Sequence, residues 1–75
     1  MFVSLEQLEK IFYSAFGKKV TINEHTVRED IIEWDSLNHL NLIVEIEDQL
    51  NIKLSKEEIE QIDSIKKIIE FLKNK

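Results

Sequence analysis

The chain contains almost no residue that interrupts a helix: among its 75 residues there is no proline, and Gly17 is the only glycine. Proline breaks helices and glycine weakens them, so a chain that lacks both is free to be helical over most of its length. Apolar residues also recur at helical spacing, as in the segment from Leu5 to Phe16. The sequence therefore predicts an all-α protein.

Residues that commonly cap helices divide the chain into four predicted helices. Their expected caps or first residues are, in chain order, Ser4, Asp35 or Ser36, Ser55, and Asp63 or Ser64. Ser4 with Gln7, and Ser55 with Glu58, have the spacing of a capping box. Gly17 and Asn51 are placed to end the first and second helices. The expected architecture is a small four-helix bundle with three main helices and a short third one.

The second helix and the segment before it are expected to supply much of the core. The predicted core stripe of the second helix is Leu37, Leu40, Ile43, Val44 and Leu50, and Leu42 and Ile46, which fall away from this stripe, widen the apolar face. Residues 18–34 form a long connection, and long connections in small domains are often functional. Its predicted apolar anchors are Val20, Ile22, Val27, Ile31 and Ile32, with one short helical turn between Arg28 and Ile32.

Length and composition exclude several classes of protein. Residues 1–75 are expected to form a single domain, too small to combine a deep substrate cleft with its own core. There is no cysteine, so disulfides and thiolate metal sites are excluded. No apolar run has the length of a membrane span, and the first ten residues lack the pattern of a signal peptide. We expect a cytoplasmic monomer that is not an enzyme.

Negative charge is concentrated in the middle of the chain. The net charge is −5, and the segment from Glu24 to Asp48 holds eight acidic residues with Arg28 as its only Lys or Arg. Nucleic acid binding needs a basic surface, so nucleic acid is not expected as a partner. An acidic surface attracts partner proteins that have basic patches. Alternatively, the acidic segment is only a solvated surface that binds no partner.

Catalytic interpretations of this segment are weak. Asp35, Ser36 and His39 superficially supply the members of a hydrolytic triad, but no glycine turn follows the serine to expose it and form an oxyanion hole. His25 and His39 lack the spacing of metal ligands, and surface positions are the default expectation for both. Trp34 is expected to pack the connection against the core and to bond through its indole nitrogen, with a partner contact as the alternative.

Ser36 admits two interpretations. A serine in the first turn of a helix is exposed, and the unpaired N–H groups and dipole of the helix favour a phosphate there. A phosphodiester on Ser36 would therefore be well accommodated. Alternatively, Asp35 and Ser36 only cap the helix, and the residues alone favour this second interpretation.

The sequence around Ser36 resembles a known family. "DSL" at residues 35–37, followed by "NHLNLIVEIEDQLNIKLSKEEIEQIDSIKKIIEFL", is similar to the acyl carrier proteins without a gap from Asp30 to Leu72. Those proteins have a D-S-L motif at the start of their second helix, and its serine carries 4′-phosphopantetheine. The resemblance implies a carrier of acyl or aminoacyl groups held as thioesters. The alternative is an unmodified acidic helical module that binds other proteins.

The resemblance also implies roles for individual residues. Ser36 would be the attachment site, Asp35 would cap the helix and contact the transferase, and Leu37 would touch partner enzymes. The acids implied in partner recognition are Glu45, Glu47 and Asp48. The residues implied to line an apolar space for a short acyl chain are Leu40, Ile43, Val44, Leu54, Ile59 and Ile62. The implied partners are a phosphopantetheinyl transferase, an acyl-loading synthase or synthetase, and acyltransferases with basic docking patches.

Three positions depart from the usual fatty-acid pattern. Trp34 stands where a small residue usually precedes the aspartate, and Asn38 and Asn41 stand where acids are common. These departures resemble carriers of specialised pathways, such as polyketide, nonribosomal peptide or surface-polysaccharide modification. A similar triplet, Asp63-Ser64-Ile65, is followed by Lys66 and Lys67, and we interpret it as a plain helix cap.

Overall fold

A computed structural model describes all 75 residues, and its regular structure is helical as predicted. The helices are α1 (Leu5–Phe16), α2 (Ser36–Leu50), α3 (Lys56–Gln61) and α4 (Ile65–Lys73). A 3-10 turn over Arg28–Asp30 interrupts the long connection between α1 and α2, also as predicted. None of the helices has the length and apolar character needed to cross a membrane.

The capping residues that the sequence predicts are found at the start of α1 and at the ends of α1 and α2. The Ser4 hydroxyl accepts a hydrogen bond from the Gln7 N–H at 3.1 Å, and the Gln7 side chain accepts one from the Ser4 N–H at 2.9 Å. Gly17 ends α1 with φ of 76°, in the left-handed region that costs glycine little. Asn51 ends α2 in the same region with φ of 53°.

Serines cap both of the later helices. The Ser55 hydroxyl accepts a hydrogen bond from the Glu58 N–H at 3.1 Å, and the Glu58 carboxylate accepts one from the Ser55 N–H at 2.8 Å. The Ser64 hydroxyl accepts a hydrogen bond from the Lys67 N–H at 3.1 Å, so this serine caps α4 as predicted. Both hydroxyls are therefore occupied in holding the first turn of a helix.

The predicted core stripe of α2 is wrong at several positions. Leu37, Leu40 and Val44 are 69%, 58% and 52% exposed, whereas Leu42 and Ile46 are fully buried beside the correctly predicted Ile43. The face that packs inward is the series His39, Leu42, Ile43 and Ile46. The first residue of this inward face, His39, is not apolar. The spacing of apolar residues alone therefore favoured the face that carries Leu37 and Leu40.

The long connection is pinned to the core at four points. Val20, Ile22, Ile31 and Trp34 are buried in the same cluster as the helices. The prediction was wrong for Val27 and Ile32, which are 38% and 93% exposed. Val27 instead pairs its backbone with Ser64 in an isolated antiparallel bridge, and this ties the connection to the start of α4.

Candidate functional site

Ser36 is the first residue of α2 and is exposed to solvent. The preceding residue, Asp35, is the helix cap, and its carboxylate accepts a hydrogen bond from the Asn38 N–H at 2.8 Å. Because Asp35 takes the capping role, the Ser36 hydroxyl has no hydrogen-bond partner within the protein, and neither do the backbone N–H groups of Ser36 and Leu37. The hydroxyl is therefore free to be modified beside two unpaired donors.

Trp34 anchors the backbone in front of Ser36 to the core. Its side chain is only 3% exposed, and its ring meets Phe12 edge to face with the ring centroids 5.3 Å apart. The Arg28 Nε–H donates a hydrogen bond to the Trp34 carbonyl oxygen at 3.0 Å. The Asn38 amide likewise donates to the Glu33 carbonyl at 2.8 Å. These bonds fix the position from which Ser36 projects, and they confirm the predicted packing role of Trp34.

His39 is a buried structural residue rather than the surface histidine that was expected. It is 8% exposed, and its Nδ1 accepts a hydrogen bond from the Trp34 indole N–H at 2.9 Å. Its Nε2 lies 2.8 Å from the Ile59 carbonyl oxygen. Both ring nitrogens are thus engaged away from Ser36, so no catalytic pair forms. Sequence reasoning missed this role because the partner on α3 is a backbone carbonyl.

The three acids predicted to recognise partners have different surroundings. Asp48 is exposed and its side chain makes no bond within the protein. The Glu45 carboxylate accepts a hydrogen bond from the Gln49 side chain at 2.9 Å. The Glu47 carboxylate accepts one from the Leu54 N–H at 2.9 Å, which sequence reasoning did not indicate. Glu47 therefore has an internal structural role.

An exposed apolar strip extends along α2 from the site. Its members are Leu37, Leu40 and Val44, which are three and four positions apart and therefore neighbours on the helix surface. Val44 is followed four residues later by Asp48, so the strip ends at the exposed acid. Close to the start of α2, Ile32 is 93% exposed and adds a further apolar side chain to the protein surface.

The residues predicted to line an acyl space separate into two groups. Ile43, Leu54 and Ile62 are buried, and Ile59 is half-buried against the same core. Leu40 and Val44 face solvent, so their predicted place inside the bundle is wrong, because His39 and Ile43 occupy the inward face of α2. Surface depressions lie elsewhere, and the largest, of about 480 Å³, lies beside α4 at Lys66, Ile69 and Lys73.

The electrostatic surroundings of the site include one ion pair. The Lys18 ammonium group lies 2.8 Å from the Glu33 carboxylate. The hydrogen bond from Lys18 to the Glu33 carboxylate lowers the pKa of Glu33 below the usual value of 4.5. Glu33 therefore stays ionised near the start of α2, and Lys18 neutralises part of the acidic charge around Ser36.

The sequence and the fold are similar to those of known proteins. The family model described as "Phosphopantetheine attachment site" matches residues 19–72. The acyl carrier protein of Buchnera aphidicola subsp. Acyrthosiphon pisum (strain 5A) is 31% identical, over 93% of this chain and 89% of that protein. The solution structure of the holo acyl carrier protein from Geobacter metallireducens superposes with a TM-score of 0.82 at 30% identity, covering 95% of this chain and 83% of that one.

Proposed function

The chain belongs to the acyl carrier protein family, and on this basis we propose that Ser36 is the residue that carries its prosthetic group. The protein is a carrier and not an enzyme, and its cofactor is covalently attached 4′-phosphopantetheine. The thiol of that group holds cargo as a thioester on a flexible arm. Tethering raises the effective concentration of the cargo at the active site of each partner.

One observation supports Ser36 over the other serines as the attachment site. The matched family region contains three serines, Ser36, Ser55 and Ser64. The hydroxyls of Ser55 and Ser64 each accept a backbone hydrogen bond as helix caps. Only Ser36 has an exposed hydroxyl without such a bond, because Asp35 caps α2 in its place. Modification of Ser36 therefore leaves every helix cap intact.

The surroundings of Ser36 suit a phosphodiester. The N–H groups of Ser36 and Leu37 point out of the first turn of α2 without an acceptor, and the positive end of the helix dipole favours an anion there. Asp35 fixes this turn through its bond to Asn38. The exposed Leu37 side chain offers an apolar contact to the arm or to the transferase that attaches it.

We propose that partner enzymes dock on α2. The apolar strip of Leu37, Leu40 and Val44 would fill an apolar groove, and Asp48 with Glu45 would meet Lys or Arg at its rim, whereas the Glu47 carboxylate is held by the Leu54 N–H. Asn38 and Asn41 make the first half of this surface uncharged. The proposed partners are a phosphopantetheinyl transferase, a loading synthase or synthetase, and acyltransferases. The uncharged half supports a specialised pathway rather than general fatty-acid synthesis.

We further propose where a short acyl chain is sheltered. Ile43 of α2, Leu54, and Ile59 and Ile62 of the α3 region supply an apolar wall. Leu40 and Val44 lie outside this wall, at the surface. In this proposal residues 1–75 act as one monomeric domain in the cytoplasm, where coenzyme A supplies the prosthetic group.

The test is the intact mass of the protein before and after incubation with coenzyme A and a broad-specificity phosphopantetheinyl transferase. We expect the wild type to gain one phosphopantetheinyl unit, and Ser36→Ala to gain none. Ser64→Ala is the matched control, because it removes the similar serine that caps α4, and it should still be modified. Modification of folded Ser36→Ala would refute the assignment.

A further inference from the structure

Ile32 lies at the tip of a turn that directly precedes the start of α2. The Trp34 N–H donates a hydrogen bond to the Ile31 carbonyl oxygen at 3.1 Å, so Ile32 and Glu33 are the two central residues of a β-turn. Such positions usually hold glycine, proline, asparagine, aspartate or serine, because these residues suit the backbone of the turn or bond to it. Ile32 does neither, and at 93% exposure it adds nothing to the core. Its side chain is therefore available to another molecule.

The neighbours of Ile32 hold it in this exposed position. Ile31 and Trp34, on either side of the tip, are both buried in the core. The Arg28 Nε–H donates to the Trp34 carbonyl oxygen at 3.0 Å, and the Arg28 carbonyl oxygen accepts the Ile31 N–H at 3.1 Å. Because the turn is already held in the free protein, a partner that covers Ile32 loses little free energy in ordering it.

The residues around Ile32 are acidic. Glu29 and Asp30, in the 3-10 turn just before it, are exposed. Glu33, the other central residue of the β-turn, is half-buried and is held by its ion pair with Lys18 at 2.8 Å, so Ile32 is the turn residue that projects. A partner that covers Ile32 therefore needs an apolar pocket with Lys or Arg at its edge.

Ile32 and Ser36 are close enough for one partner to cover both. They are four residues apart, and consecutive Cα atoms are about 3.8 Å apart, so their Cα atoms are separated by at most about 15 Å. A standard interface buries about 800 Å² on each partner, which corresponds to a circular patch about 16 Å in radius. Leu37, which follows Ser36, is also exposed. Exposed apolar side chains therefore precede and follow Ser36.

The enzyme that has to cover the surface around Ser36 is the one that modifies it. Attachment joins the Ser36 oxygen to the phosphorus that bears the pantetheine arm, displaces adenosine 3′,5′-bisphosphate, and passes the hydroxyl proton to a base of the transferase. The transferase must therefore close on Ser36 itself, whereas enzymes that act on cargo meet the end of a flexible arm. We propose that Ile32 is a docking residue for the phosphopantetheinyl transferase and fills an apolar pocket with a basic edge beside its active site. The inference rests on the proposed attachment at Ser36.

The test is the steady-state kinetics of attachment, with coenzyme A and the phosphopantetheinyl transferase of the organism that encodes this chain. Ile32→Ala should raise the KM for the carrier about tenfold and leave kcat unchanged, because the lost contact is present both before and during the reaction. Ile32→Val keeps most of the apolar side chain, so it should raise the KM by no more than about threefold.

Phe2→Ala is the matched control. Phe2 is 90% exposed, so its side chain is as accessible as that of Ile32. It precedes α1, whereas Trp34 lies beside Phe16 at the other end of that helix, about 18 Å along the axis. Phe2→Ala should therefore leave the KM unchanged. Ile32→Ala should keep the Tm of the wild type, because the side chain it truncates is almost fully exposed.

Three results would overturn the proposal. One is a KM of Ile32→Ala equal to that of the wild type. Another is an equal rise in KM for Phe2→Ala, because the transferase would then respond to surface apolarity in general. The third is a wild-type dimer in light scattering that Ile32→Ala abolishes, because Ile32 would then bind a second copy of this chain.

Failure of the proposed attachment is distinguishable from these results. A wild type that gains no mass from coenzyme A, with this transferase or with a broad-specificity one, would contradict the attachment at Ser36. A wild type that is modified, together with an Ile32→Ala variant of unchanged KM, would contradict only the docking role of Ile32.

Discussion

The Glu47 carboxylate accepts a hydrogen bond from the Leu54 N–H at 2.9 Å and so joins the end of α2 to the link before α3. The Glu47 carbonyl oxygen also accepts the Ile52 N–H at 3.1 Å, which closes the turn at Asn51. The next residue, Asp48, is exposed and has no such bond. These two consecutive acids therefore have different surroundings: the Glu47 carboxylate is bonded within the molecule, and the Asp48 carboxylate is exposed to solvent.

Glu47→Ala is expected to destabilise the protein, whereas Asp48→Ala is not. The loss of Glu47 leaves the Leu54 N–H without its acceptor, at a cost of about 1 kcal/mol in the free energy of unfolding. Asp48 lies near the negative end of the α2 dipole, so its removal should leave stability unchanged or slightly higher. Urea denaturation of both variants measures the difference, and equal free energies of unfolding would contradict the role of Glu47.

Trp34→Phe should lower stability through lost hydrogen bonding, and Trp34→Ala should lower it much further. Phenylalanine can keep the edge-to-face contact with Phe12 but cannot donate to His39, so we expect a loss of about 1–2 kcal/mol. Alanine also removes the buried ring, at about 3–5 kcal/mol. Chemical denaturation followed by far-UV circular dichroism tests this order. A neutral Trp34→Phe would show that the indole bond contributes nothing to stability.

Glu58 should contribute stability that is lost in acid. The hydrogen bond from the Ser55 N–H, supported by Lys75, lowers the pKa of Glu58 below the usual 4.5. A carboxyl whose pKa is lower in the folded state stabilises the fold above its unfolded pKa, and this contribution disappears as the pH falls through the folded pKa. Glu58→Gln should therefore lower the Tm at neutral pH and change it less at pH values below the folded pKa.

Glu57→Gln is the control for that measurement, because the Glu57 side chain makes no hydrogen bond or ion pair with another residue. Both acids lie in the first turn of α3 and share its helix dipole, so Glu57→Gln is expected to lower the Tm at neutral pH by less than Glu58→Gln does. A Glu58→Gln variant with the same Tm as the wild type at neutral pH would contradict the interpretation of the Ser55 and Lys75 contacts.

Leucines on the two sides of α2 should respond differently to truncation. Leu42 is fully buried, so Leu42→Ala should cost about 2–5 kcal/mol. Leu40 is 58% exposed, so Leu40→Ala should change stability by no more than about 0.5 kcal/mol. Equilibrium unfolding of both variants gives the comparison. A large loss for Leu40→Ala would mean that its side chain packs inside the bundle and not on the surface.

Helix boundaries could be predicted from the sequence because local residues determine them. Ser4 and Ser55 form capping boxes with residues three positions away, and Gly17 adopts a left-handed backbone conformation that most residue types other than glycine and asparagine avoid. Each of these signals acts within one turn of the chain. The helix count and the start of α2 were therefore correct.

The inward face of α2 could not be predicted because it depends on distant partners. His39 is buried since a carbonyl on α3 and an indole in the connection satisfy both of its nitrogens. Nothing near His39 in the sequence indicates the Ile59 carbonyl. The hydrogen bond from the Leu54 N–H to the Glu47 carboxylate could not be predicted for the same reason, because it joins α2 to the link before α3 across a turn.

The attachment residue can be located directly by tandem mass spectrometry of the modified protein after proteolysis. We predict that the added phosphopantetheinyl group is found on Ser36, in the peptide that contains Trp34 and Asp35, and on no other serine. A group located on Ser55 or Ser64 would contradict the account, because those hydroxyls cap α3 and α4. A folded, initially unmodified protein that gains no group at all would contradict it equally.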